Sequence, residues 1–284
     1  MTDPTPVART RSNALTEIFG RPDRVLIGVV HLLPLPGSPD YAGSRPDSIY
    51  ERAISDAHGY RGAGFDGLIV ENHGDIPFAK PENIGPETAA HMAVVADRIR
   101  RETGLPIGVN VLANAALHAL AVASAAGARF VRVNQWANAY VANEGLIEGA
   151  AAQASRYRRQ LGAQDVRIFA DAHVKHGAHA IVQDRSIAEL VRDVEFFNAD
   201  VVIATGQRTG HAADHDYLKA IRAAASLPTL VGSGATPDNV GDILSIVDGV
   251  IVASALKVDG CWWNPVDPER AELFVFRARS QESR

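Results

Sequence analysis

The sequence has 284 residues, 46% of them apolar, a formal net charge of −5 and one cysteine, Cys261. That length suits two small domains or one α/β barrel of about 250 residues, and the apolar share supports a large core. No like-charged block marks a nucleic-acid surface, no apolar run nears the roughly 18 residues of a membrane span, and a lone cysteine excludes an internal disulfide and suits a reducing cytoplasm.

The chain alternates short β-branched runs with longer helical stretches. Residues 1–23 read as a lead-in, partly disordered or a short helix. Met1 to Arg11 is polar, has two prolines and lacks the apolar region of a signal peptide. The first strand is expected over 25–30 and reads as buried on both faces. It ends on His31 and a loop with three prolines, which is neither helix nor central strand. A helix over 47–61 follows, with Asp47 as N-cap and Gly62 and Gly64 as stops. The second strand is 67–71, then a proline-rich loop, then a helix over 86–102. The third strand is 107–111, with an alanine-rich helix over 113–126. The fourth is 130–134, followed by a loop holding Trp136 and Tyr140 and a helix over 149–161. The fifth is 166–171, with a helix over 187–197 after another loop. The sixth is 201–204, with a helix over 214–225. The seventh is 229–231, with a helix from Pro237, whose ring suits a first helical position. The eighth is 249–252, and the last helix is 268–279.

Alternation of this kind implies parallel strands with right-handed crossovers. Eight units without a linker predict an α/β fold of one closed (β/α)8 TIM barrel over 24–284. A doubly wound sheet is the alternative, but no Gly-x-Gly-x-x-Gly follows the first strand.

In such a barrel chemistry sits at the C-terminal ends of the strands. Those ends offer His31; then Glu71, Asn72 and His73; Asn110; Arg132 and Asn134; Asp171, His173 and Lys175; Thr205; Gly232-Ser-Gly234; and Ser254, with Lys257 and Asp259 beyond. Residues two apart share a face. Glu71 and Asp171 are candidate bases, and Asp171 is otherwise an N-cap or the partner of Arg132 or Lys175. His31 is a candidate acid, since an imidazole titrates near working pH. Lys175 is a Schiff-base nucleophile if buried and inward-facing, and a solvated loop lysine if not. Asn72, Asn110, Arg132 and Asn134 suit hydroxyl recognition or, for the asparagines, loop and cap bonding.

The strongest local signal is late. A strand runs into Gly232-Ser233-Gly234 and a helix start, and the next strand ends on Ala253 and Ser254. Glycines let backbone N–H groups approach a ligand, helix N-termini favour anions, and barrels frequently bind phosphate with the last two loops. The loop 205–210 could add Thr205, Arg208 and Thr209. No cofactor is expected. A divalent metal is the alternative, held by Asp171, His173 and Glu71; His173, His176 and His179 are spaced by three but lie in a glycine- and alanine-rich loop. No Gly-x-Ser-x-Gly elbow is present, and Cys261 beside Trp262-Trp263 reads as packed.

The segments Ile-Gly-Val-Val-His-Leu-Leu-Pro-Leu-Pro-Gly-Ser-Pro (27–39), Gly-Leu-Ile-Val-Glu-Asn, Ile-Gly-Val-Asn-Val-Leu-Ala-Asn, Phe-Val-Arg-Val-Asn, Ala-Asp-x-His-x-Lys-His and Gly-Ser-Gly-Ala-Thr-Pro-Asp-Asn resemble the BtpA/SgcQ family over about 24–276. The resemblance implies a TIM barrel of the ribulose-phosphate-binding kind. One branch of that family is linked to accumulation of photosystem I reaction-centre proteins in cyanobacteria. The other is associated with sugar metabolism and carries a nucleosidase label. His31, Asp171, His173 and Lys175 match the family pattern, without a role to transfer.

The reading of this sequence is therefore an enzyme acting on a phosphorylated sugar or nucleoside, with glycosidic-bond cleavage ahead of isomerase or aldolase chemistry. The competing reading is a non-enzymatic assembly factor that uses the barrel as a binding module. A small phosphorylated or sugar-containing substrate and a homo-oligomer are expected.

Overall fold

The computed structural model describes residues 12–43, 45–175, 177–205 and 215–280. Eight parallel strands close into a barrel: β1 (Val25–His31), β2 (Gly67–Glu71), β3 (Ile107–Asn110), β4 (Phe130–Val133), β7 (Arg167–His173), β8 (Val201–Ala204), β9 (Thr229–Val231) and β10 (Gly249–Val252), which returns to β1. Two further strands, β5 (Ala139–Ala142) and β6 (Gly145–Glu148), form an antiparallel hairpin outside it. The loop expected after the fourth strand thus contains a hairpin, which joins Ala178 through Val141. With one buried position per strand, its burial alternates too weakly for pattern reading to find.

The strands are apolar because each is covered twice. Outward residues such as Leu26, Val70, Val109 and Val202 pack under the helices. Inward residues, Ile27, Ile69, Phe130, Phe169, Ile203, Leu230 and Ile251 among them, fill the barrel as a second cluster. Helix α1 (Ala14–Phe19) joins that inner cluster through Ala14, Leu15 and Ile18, and its Phe19 ring meets Phe130 edge-on at 5.8 Å. The barrel floor is therefore plugged, and ligand access is left to the opposite end.

The outer helices are α2 (Pro46–Ala63), α3 (Pro86–Thr103), α4 (Ala116–Ala126), α5 (Ala151–Gln160), α6 (Ile187–Phe196), α7 (His215–Ala224), α8 (Val240–Ile243) and α9 (Pro268–Arg279). Four starts among the described residues differ from expectation, α5 beginning at Ala151 rather than 149. Helix α2 begins at Pro46, so Asp47 lies in its first turn rather than capping it, and Gly62 is inside the helix while Gly64 ends it at φ 94°. Helix α4 begins three residues late, because Asn114 at φ 55° turns its side chain to Gln135. Helix α8 begins at Val240, not Pro237, because Asn239 ties back to Thr236 N and Gly234 O. No helix among the described residues is long and apolar enough to cross a membrane.

Candidate active site

The register of the first three strands makes a row. His31 pairs with Glu71, and Glu71 with Asn110, so three polar side chains stand side by side at the open end. They face a cavity of about 670 Å³ whose wall also includes His73, Arg132, Asn134, Lys175 and the loops after β9 and β10.

Glu71 is the hub of the row. Its carboxylate accepts from Asn110 Nδ2 at 2.6 Å and from His73 Nδ1 at 3.1 Å, and His31 Nε2 lies 3.6 Å away. Burial alone would raise its pKa. The His73 hydrogen bond and the charges of His73, His31 and Arg132 outweigh that and hold it well below the usual carboxylate range. Glu71 is thus an anion at neutral pH.

His31 is different. Its Nδ1 meets the Trp262 carbonyl at 3.2 Å, which requires the proton on that nitrogen. Burial first, and the charge of His73 second, push its pKa down to about 3, against the pull of Glu71. A ring that stays neutral at pH 7 is a poor general acid, which weighs against the acid role expected of His31.

This carries a pH dependence. The native pKa lies below the ordinary 6.5, so the unfolded chain binds the extra proton and stability is lost as pH falls from about 6.5 toward 3. Glu71 adds loss of the same sign at lower pH. His31→Gln is expected to flatten the upper part of this slope, by at most about 1.4 kcal/mol per pH unit, in urea melts run across a pH series.

Arg132 and Asp171 form a closed pair. Nε donates to Oδ1 at 3.0 Å and Nη2 to Oδ2 at 2.9 Å, with both side chains buried. Asp171 is therefore the partner that orients Arg132, the alternative that the sequence left open for it. Gly232 belongs to this packing: a Cβ there would lie 2.6 Å from Ile203 Cγ2 and 3.0 Å from Arg132 Nη2. Lys175 faces the cavity and makes no hydrogen bond among the described residues. Burial, helped by the Arg132 charge, brings its pKa down to about 8.

Gly232, Ser233, Gly234, Ala253 and Ser254 all line the cavity, as do Ala235 and Ala255. The helix argument for an anion fails, because α8 has four residues and starts six positions after Gly234. The backbone argument remains. Among the described residues the N–H groups of Gly234, Ala235, Ser254 and Ala255 have no acceptor. Gly234 holds φ 80°, a conformation that a side chain disfavours.

Several expected site residues do other work. Asn72 donates to Asp75 Oδ2 and brackets Leu112, accepting from its N–H at 2.7 Å. Asp75 in turn accepts from Leu35 N, so the pair ties down the proline-rich loop after β1. Thr205 Oγ1 donates to the His173 carbonyl. The His173 ring stacks on His179 at 3.7 Å and borders a separate side pocket with Tyr217. Lys257 is sealed in an ion pair with Asp56 at 2.6 Å. Thr209, Arg208 and His176 lie outside the described residues.

The metal set that the sequence offered, Asp171, His173 and Glu71, does not gather: Asp171 is paired with Arg132, and His173 lies at the side pocket. The group that gathers instead is His31, Glu71 and His73, with ligand atoms within 4.8 Å of one another. The two rings stack, however, with centroids 4.4 Å apart and planes at 17°. An imidazole binds a metal in its own plane, so one ion cannot serve two stacked rings in this arrangement.

His73, Trp262 and Tyr140 are among the cavity residues that the sequence reading left without a role. His73 was noted at its strand end but given no role. Its signal was a position two residues after Glu71, on the same face. Trp262 stands edge-on to His31 and His73, at 6.1 and 4.6 Å. Tyr140 arrives on the hairpin, which had no sequence signal.

A family model described as the BtpA family matches residues 22–280. A protein of Pyrococcus abyssi is 43% identical over 246 residues, covering 87% of this chain and 92% of that protein. The photosystem I biogenesis protein BtpA of Synechocystis is 40% identical over 251 residues, covering 88% and 86%. The fold is similar to that of the tryptophan synthase alpha subunit of Legionella pneumophila, with TM-score 0.57 and 18% identity over 95% of this chain and 97% of that one. It is also similar to N-(5'-phosphoribosyl)anthranilate isomerase of Pyrococcus furiosus, with TM-score 0.55 and 14% identity over 90% and 98%.

Proposed function

Since the chain belongs to the BtpA family, we propose that it is an enzyme acting on a phosphorylated sugar or nucleoside, with cleavage of a glycosidic bond as its reaction. One observation carries the reading. Four backbone N–H groups without acceptors among the described residues line the same cavity as an ionised Glu71.

The strand order explains how a substrate would lie. In the closed ring β9 is four places from β3, and β10 four places from β4, so each faces the other across the mouth. A phosphate would sit on Gly234, Ala235, Ser254 and Ala255. Opposite it stand Asn110 and Asn134, whose buried Oδ1 atoms have no partner among the described residues and would accept from sugar hydroxyls. The sugar's reacting centre then lies beside the Glu71 row. Glu71 opposes the positive charge that develops in an oxocarbenium-like transition state. His73, half-buried and anchored on Glu71 through Nδ1, replaces His31 as proton donor to the leaving group.

The test is a thermal-shift series with ribose 5-phosphate, a nucleoside, a nucleotide and inorganic phosphate. A phosphorylated sugar is expected to stabilise the protein by about 2.7 kcal/mol at 100 times its Kd, and Gly234→Val to abolish the response. No response to any of them would reject the reading. It would favour the non-enzymatic binding module, the alternative that the Synechocystis relative's name suggests.

A further inference from the structure

Lysine is scarce in this chain: four lysines stand against twenty-four arginines. Arginine supplies nearly all the positive charge, including the pair buried at the barrel mouth. The four lysines divide sharply by setting. Lys219 is exposed on α7, Lys80 is half-buried beside the hairpin turn at Gly145, and Lys257 is locked to Asp56. Only Lys175 lines the mouth cavity. It is the one lysine whose amine faces the cavity, and among the described residues nothing accepts from it.

A guanidinium would serve that position as well or better if it needed only charge, since arginine binds phosphate and carboxylate with two parallel hydrogen bonds. What an amine can do and a guanidinium cannot is lose its proton and attack carbon. The surroundings support that chemistry. Lys175 stands beside Arg132, whose charge opposes a second cation, and it is substantially buried. In the strand order β7 lies four places from β1, so Lys175 approaches the cavity from the side opposite His31. Lys175 and the β9 and β10 loops line the same cavity, so a ligand with its phosphate on those loops would lie in the space that Lys175 borders.

We propose that Lys175 forms an imine with an open-chain aldehyde or ketone that carries a phosphate group. The carbonyl part stands on Lys175 alone, and the phosphate part rests on the function proposed above. The two fit together, because cleavage of a phosphorylated glycoside by water releases an aldose phosphate, whose open-chain form is an aldehyde. In the step, the amine nitrogen forms a bond to the carbonyl carbon and gives a carbinolamine. Loss of the hydroxyl with a proton, as water, leaves the C=N bond. No oxidant or reductant is consumed. With its pKa brought down to about 8 from 10.5, Lys175 holds far more free amine near neutral pH than an exposed lysine.

Borohydride trapping tests this on the full chain. Hydride adds to the imine carbon and a proton from water to the nitrogen, leaving a stable secondary amine read by intact mass and peptide mapping. With glyceraldehyde 3-phosphate or ribose 5-phosphate as probe, a single addition is expected. It should map to Lys175 with a yield about tenfold or more above Lys219, since each pKa unit is a tenfold change in free amine. Lys219→Arg should keep the adduct and Lys175→Arg lose it, with circular dichroism checking the fold. No adduct on Lys175 in the wild-type chain, or equal labelling of Lys219, overturns the proposal without recourse to any variant. The two readings separate cleanly. Unphosphorylated glyceraldehyde labelling Lys175 as well as its phosphate would sustain the imine and reject the phosphate site. A thermal shift with sugar phosphates but no trapped adduct would do the reverse.

Discussion

Asp171→Ala is expected to lower the free energy of unfolding by about 3–5 kcal/mol, read as a shift of the urea midpoint. The reason is what it leaves behind. Arg132 is buried under the β9 loop, and its fork is matched by the two oxygens of Asp171 at 2.9 and 3.0 Å. Burial by itself would lower the Arg132 pKa, and the charge and hydrogen bonds of Asp171 raise it instead. Without that partner a guanidinium stays in a low-dielectric site with only Glu71 nearby to oppose it. The variant should also lose any response to sugar phosphates, because Gly232 packs against Arg132 and leads into the loop proposed to hold the phosphate. Asp171→Asn keeps the shape and one acceptor oxygen, and should cost less than the alanine variant. Equal stability of wild type and Asp171→Ala would show that the pair does not hold the mouth together.

Asp56→Ala is expected to have a comparable effect, again about 3–5 kcal/mol by urea denaturation. Lys257 is fully buried, and Asp56 from α2 is its hydrogen-bond partner at 2.6 Å. The same carboxylate accepts from Val266 N at 2.8 Å and from Arg52 at 3.4 Å. Removing it strands an ammonium and a backbone donor together. The double variant Asp56→Leu with Lys257→Met removes both charges and should recover most of the loss, since replacing a buried pair by packed apolar groups is often neutral. Lys257 follows directly on the 3-10 turn Ser254–Leu256. The single variant should therefore weaken the proposed phosphate binding before the fold is lost.

These two pairs mark the boundary between what could be read and what could not. Strand runs such as 67–71, 201–204, 229–231 and 249–252 were legible to the residue. Strands buried on both faces are continuous apolar runs, and the backbone leaves them no other use. Helix 268–279 was equally plain, with Asp267 as its cap and Pro268 at the first position. The helix starts at Val240 and Ala116 were not legible, because each is set by a side chain, Asn239 or Asn114, that folds back on a loop. Burial in a hairpin that rides on a barrel follows no short period, so β5 and β6 were missed.

For the site, the sequence by itself determined that polar groups end the strands. Period two along a strand and the strand count place Glu71, Asn110, Arg132 and the Gly232–Gly234 loop at one end of a barrel. Which of those groups are free is a different matter, decided by contacts 39 residues or more apart in the chain, such as Arg132 with Asp171 and Asn110 with Glu71. Local pattern offers such pairs only among alternatives, as it did for Asp171 with Arg132 or Lys175. Only closure of the barrel showed that Asp171 is spent on Arg132, that His31 lies against the Trp262 carbonyl, that Lys257 is sealed, and that Lys175 alone among the lysines lines the cavity.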